Sequence, residues 1–125
     1  MSAIFGPVLI VEKDAAVQNS LRFALEMEGL QVRAYADPEA LLGEASLPSQ
    51  GCLVVDCLQP ALDGIDLARR LRDRDVRLPI VLITADVSKA ARQRAVRCGA
   101  RLVAGKPVDG DVLVASILEA LAEPA

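Results

Sequence analysis

The chain has 125 residues, the length of one domain with a single sizeable core, and its 53% apolar content argues against disorder. Histidine and tryptophan are absent, and Phe5, Phe23 and Tyr35 are the only aromatics. The commonest general base, the commonest zinc ligand, any phosphohistidine relay role and base-stacking platforms are thereby excluded. Cys52, Cys57 and Cys98 lack metal-ligand spacing, and the first two lie in or beside an apolar run, where a free cysteine behaves as a small hydrophobe. No apolar run reaches membrane-spanning length and the N-terminus lacks a basic start, so the expected location is cytoplasmic.

The net charge of −3 hides an asymmetry: acidic residues dominate up to Asp66, whereas basic ones dominate from Arg69 to Lys106. Mixed with Asp73, Asp75 and Asp86, the arginines read as a solvated helix face, and no direct nucleic-acid binding is expected.

In chain order, Pro7 to Val11 is a buried strand that ends in Glu12-Lys13-Asp14. Asp14 suits an N-cap for a helix reaching Glu28, with Val17, Leu21, Ala24 and Leu25 at helical spacing and Gly29 as its stop. Leu30 to Tyr35 alternates like a half-exposed edge strand. Asp37-Pro38 opens a short helix carrying Ala40, Leu41 and Leu42, which dissolves in the turn-rich Ser46 to Gly51.

Leu53-Val54-Val55-Asp56 is the central stretch, a continuous apolar strand that ends abruptly in a carboxylate, with Pro60 closing the segment. Beyond Gly64 a helix presents Ile65, Leu67, Ala68 and Leu71. After Pro79, Ile80 to Ile83 is a fourth strand ending at Thr84. A basic helix runs from Ser88 to Arg97 and stops at Gly99; Leu102-Val103-Ala104 is a fifth strand leading to Gly105-Lys106-Pro107. The last helix, Gly110 to Ala122, presents Val112, Leu113, Ile117, Leu118 and Leu121. Alternation of strand and helix predicts a parallel sheet with helices on both faces, in one domain over residues 1–125.

In such a sheet the strand ends share one rim, which collects Glu12, Lys13, Asp14, Asp56, Thr84 and Lys106. Carboxylates, a hydroxyl and an ammonium suit transfer of an anionic group with a divalent metal. Asp56 would attack phosphorus and form an acyl phosphate, Mg²⁺ and Lys106 would neutralise charge, and Thr84 would hydrogen-bond an equatorial oxygen.

The series Val-Leu-Ile-Val-acid, Val-Val-Asp-x-x-x-Pro, Gly64, Leu-Ile-Thr-Ala, Gly-Ala and Lys-Pro resembles the receiver domain of bacterial two-component response regulators over nearly the whole chain. The resemblance implies a flavodoxin-like (βα)₅ fold with strand order 2-1-3-4-5, the order that flavodoxin and receivers share. It implies phosphorylation of Asp56 by a histidine kinase or phosphotransfer protein. Thr84 and Lys106 would contact the phosphoryl group, and Mg²⁺ would be held by Glu12, Asp56 and the Leu58 backbone carbonyl, with Asp14 a further candidate. Such a domain is a switch rather than an enzyme, beyond catalysing part of its own phosphoryl transfer and hydrolysis.

Two departures from the family stand out. Receivers usually carry two adjacent acids after the first strand, and here Lys13 occupies the second position. Lys13 either turns to solvent beside a weakened Mg²⁺ site or pairs with Asp56 and replaces part of the metal's charge. The family's inward-turning aromatic on the last strand is matched by Val103, which directs attention to Arg92 and Arg94 as an output face. A homodimer would use the Ser88–Arg97 helix, the last strand and the last helix. The rival reading is a phosphorylation-independent interaction module. A haloacid-dehalogenase-type phosphatase is set aside because Leu58 stands where a second aspartate is needed, and a flavin site because Glu12-Lys13-Asp14 is wrongly charged for a phosphate loop.

Overall fold

The computed structural model describes residues 6–56, 64–85, 88–104 and 109–122. Strands β1 (Val8–Val11), β2 (Val32–Tyr35), β3 (Cys52–Asp56), β4 (Ile80–Thr84) and β5 (Ala100–Ala104) alternate with helices α1 (Ala15–Met27), α2 (Pro38–Leu42), α3 (Gly64–Asp73), α4 (Lys89–Arg97) and α5 (Gly110–Ala122). The strands form one parallel sheet of order β2-β1-β3-β4-β5. This is the flavodoxin-like (βα)₅ arrangement that the resemblance implies, and its parallel sheet is the one the alternation of strand and helix predicts.

The continuous apolar runs exist because both sheet faces are covered. Side chains of alternate residues leave opposite faces. Leu9, Val11, Leu53, Val55, Ile80 and Leu82 pack with Leu41, Leu42, Leu67, Leu71 and Ala95, from α2, α3 and α4. Val8, Ile10, Cys52, Val54, Val81, Ile83 and Val103 pack with Leu21, Leu25, Leu113 and Ile117, from α1 and α5. Each fully buried Leu, Ile or Val contributes about 1.5–3 kcal/mol over exposure, so the β3 side chains alone anchor the centre of both cores. Edge strand β2 keeps its alternating burial.

Gly64 starts α3 against the sheet with almost no clearance. A Cβ there would lie 2.6 Å from Leu82 Cδ2, and Leu82 is itself fully buried. That contact sets how closely the helix following β3 can approach β4.

The structure corrects several sequence boundaries. β2 begins at Val32 rather than Leu30, because the Leu30 N–H closes the end of α1 on the Leu25 carbonyl at 3.2 Å. β5 begins at Ala100 rather than Leu102: Gly99, at φ 74°, turns the chain sharply out of α4, and Ala100 pairs at once with Ile80. α5 buries Leu113, Ile117 and Ala120, while Val112 and Leu118 remain 50% and 40% exposed. That helix is apolar nearly all round, so its sequence does not fix which arc faces the sheet. Val17 on α1 is likewise exposed, leaving Leu21 and Leu25 as its anchors. Among the described residues no helix is long and apolar enough to cross a membrane.

Candidate functional site

Parallel pairing places every strand's carboxyl end on one rim. Val11 pairs with Val55, so Glu12 and Asp56 stand level on adjacent strands, and Asp56 in turn pairs with Ile83 on β4. By alternation Glu12 and Asp56 leave the sheet on the side of Ile10 and Val54. Glu12 is buried, at 5% exposure, whereas Asp56 is partly exposed at the end of β3.

The turn after β1 is closed by its own hydrogen bonds. The Glu12 N–H donates to the Tyr35 carbonyl at 2.9 Å, extending the ladder one residue past β1. Glu12 Oε2 accepts the Asp14 N–H at 2.8 Å. Asp14 Oδ1 accepts from the N–H groups of Ala16 and Val17 at 2.9 and 3.1 Å, satisfying donors that a helix N-terminus otherwise leaves orphaned. Gln18 Nε2 reaches back from α1 to the carbonyls of Glu12 and Tyr35, at 3.0 and 3.3 Å. Lys13 is exposed, and among the described residues no ion pair joins it to a carboxylate.

Thr84 ends β4 fully buried and pairs with Ala104. It lies one residue beyond Ile83, on the Leu82 side of the sheet. The switch position expected at Val103 lies on β5. That residue is buried on the opposite side with Ile83, Leu113 and Ile117, whereas Leu102 shares the Thr84 side and packs against the other core. Strand alternation accounts for this sidedness, because Thr84 pairs with Ala104, and Leu102 is two residues from it. Arg92 and Arg94 are exposed on α4, which Ser88 caps by accepting the Ala91 N–H at 3.2 Å. Lys106, the Leu58 carbonyl, Cys57, Pro60, Gly105 and Pro107 lie outside the described residues.

The chemistry of this rim follows from its donors. A buried and a partly exposed carboxylate side by side suit a hard cation such as Mg²⁺, which is commonly held by one or two carboxylates with water completing the shell. Among the described residues no group of three or more acidic, cysteine or histidine side chains could hold a metal. Asp14 is engaged as a helix cap through Oδ1.

The structure also gives roles to residues that the sequence left plain. Gln18 carries no signal, since an amide on an amphipathic helix reads as solvated surface. The arginines after Asp66 are largely spent on structure: Arg69 pairs with Asp66 at 3.0 Å, Arg70 with Glu39 at 3.2 Å and Arg77 with Asp75 at 3.1 Å. Arg72 and Arg74 donate to the carbonyls of Val76 and Leu42 at 2.8 and 2.7 Å. Burial pushes the Cys52 thiol up to about 12, against a lowering by Arg101, so this cysteine is an inert core residue at neutral pH.

A family model of the response regulator receiver domain matches residues 8–118. The transcriptional regulatory protein FixJ of Bradyrhizobium diazoefficiens is 34% identical over 122 residues, covering 96% of this chain and 60% of FixJ. The C4-dicarboxylate transport transcriptional regulatory protein DctD of Pseudomonas aeruginosa is 32% identical over 114 residues, covering 91% of this chain and 25% of DctD. The chain thus spans less than two thirds of the length of either relative. The crystal structure of FixJ-N superposes with a TM-score of 0.80 at 30% identity, covering 95% of each chain. With its sheet order and this match over most of its length, the chain belongs to the receiver domain family of two-component response regulators.

Proposed function

We propose that Asp56 accepts a phosphoryl group from a histidine kinase or phosphotransfer protein, and that the domain thereby switches a partner or output segment. The observation that carries this reading is the level placement of Glu12 and Asp56 on adjacent strand ends, with Thr84 buried at the end of the next strand. The Asp56 carboxylate forms a bond to phosphorus while the phosphorus–nitrogen bond to the donor's imidazole breaks, leaving the imidazole to the donor and an acyl phosphate on Asp56. Lys106 and the Thr84 hydroxyl contact the phosphoryl oxygens.

Glu12, Asp56 and the Leu58 carbonyl are the residues that would hold Mg²⁺, whose charge balances that of the transferring oxygens when it is bound. Lys13 brings an ammonium to the position where an acid would strengthen the site, so Mg²⁺ affinity is reduced. The domain works as a switch in the cytoplasm, where its phosphodonor acts. The relatives FixJ and DctD are transcriptional regulatory proteins, and by likeness the output is control of transcription through a further segment or partner. A homodimer contact falls on α4, β5 and α5, where Val96, Val112 and Leu118 are exposed and Arg101 pairs with Glu119 at 3.4 Å.

Lys13 at the rim and a site of two carboxylates favour one competing reading, an interaction module that works without phosphate. Intact mass after incubation with a small phosphodonor, with and without Mg²⁺ and beside Asp56→Asn, separates the two. One phosphoryl group that needs both Mg²⁺ and Asp56 supports the phosphorylated switch. No adduct on folded protein at any Mg²⁺ concentration supports the module.

A further inference from the structure

The sequence of the β1–α1 turn leaves Glu12 flanked by an exposed lysine and an exposed helix cap, and its backbone carbonyl is held from α1. Gln18 does this from the second turn of α1. Its own N–H donates to the Asp14 carbonyl at 2.9 Å as part of the helix, while its side-chain amide donates to the Glu12 and Tyr35 carbonyls. Both acceptors lie at the carboxyl ends of β1 and β2, and the Tyr35 carbonyl already takes the Glu12 N–H. One amide group therefore ties the start of α1 to two strand ends at the residue that precedes Lys13.

We infer that Gln18 is a positioning residue, holding the strand-end turn so that the Glu12 carboxylate is presented beside Asp56 for a divalent cation. This role rests on the Mg²⁺ reading above and adds the group that orients its buried ligand. Loss of a partner that orients a metal ligand typically costs about 10–100-fold in metal affinity. A glutamine suits the task because its NH₂ carries two donors for two carbonyls. An aliphatic side chain of the same length offers none, and a glutamate would set a third oxygen against the two carbonyl oxygens.

The test is a Mg²⁺ titration followed by backbone amide NMR on the wild type, Gln18→Met, Gln18→Glu and Gln18→Arg. Amide hydrogen exchange at Glu12 is measured beside Val54 in the central strand. Mg²⁺ affinity falls about tenfold in Gln18→Met and Gln18→Glu and returns to within about twofold of wild type in Gln18→Arg, which keeps a donor. The Glu12 amide exchanges faster in the first two while Val54 is unchanged, a local loosening that general destabilisation does not produce. Affinity within about twofold of wild type in both Gln18→Met and Gln18→Glu overturns the inference and leaves the acidic-pocket reading standing. A wild type that binds no Mg²⁺ sinks that reading and the inference with it.

Discussion

Asp14 offers a clean separation between two uses of one carboxylate. The sequence allows it to be a metal ligand or a helix cap, and the structure gives its Oδ1 to the Ala16 and Val17 N–H groups at the start of α1. Asp14→Ala removes the acceptor for both donors, which costs about 1 kcal/mol at an N-cap. Losing a negative charge at the helix N-terminus adds about 0.3–1 kcal/mol. The expected loss is about 1–2 kcal/mol by urea denaturation, or about 4–8 °C in Tm for a domain of this size. Asp14→Asn retains an acceptor oxygen and should lose less than about 1 kcal/mol, the charge contribution alone. Both variants should bind Mg²⁺ within about threefold of wild type, since only an exposed and screened charge is removed. An Asp14→Asn variant that keeps its stability but loses about tenfold or more in Mg²⁺ affinity would refute this assignment, making the carboxylate a ligand and the cap incidental. So would an Asp14→Ala variant that unfolds at the wild-type urea concentration.

Lys13→Asp turns an exposed cation into an anion beside the Glu12–Asp56 pair, a change worth about 1 kcal/mol toward a dication in screened solvent. Calorimetric titration should therefore show Mg²⁺ affinity raised roughly fivefold, and no change would mean that Lys13 lies too far from the cation to matter. Cys52 favours its neutral thiol in the fold, with a value near 12 against 9.0 as the ordinary one. Its stabilising contribution is complete below about pH 9 and is lost as pH rises toward 12. Urea midpoints of the wild type should fall above pH 9 more steeply than those of Cys52→Ala, and parallel curves would contradict the assignment.

Much of this molecule was legible in its residues because buried parallel strands write themselves as short continuous apolar runs. Val8–Val11, Leu53–Val55 and Ile80–Ile83 are buried throughout, as such runs require, and the charged or hydroxyl residue ending each one marks the rim. Asp14 and Asp37 announced their helices because a short polar side chain before a helical run has one favourable use there. The arc of α5 could not be read, since Val112, Leu113, Ile117, Leu118 and Leu121 offer more apolar surface than the sheet covers. Gln18 could not be found either, because its partners are backbone carbonyls, which every residue possesses.

Local pattern was enough for the element order, the rim position of Glu12, Asp56 and Thr84, and the lysine among the acids, because parallel strands all end on the same side. What lies beside what came from tertiary pairing. Glu12 is level with Asp56 through the β1–β3 register, and Leu102 rather than Val103 shares the Thr84 side of the sheet. Register and sidedness arise from pairing between segments far apart in the chain, and a shift of one residue would send each side chain to the opposite face.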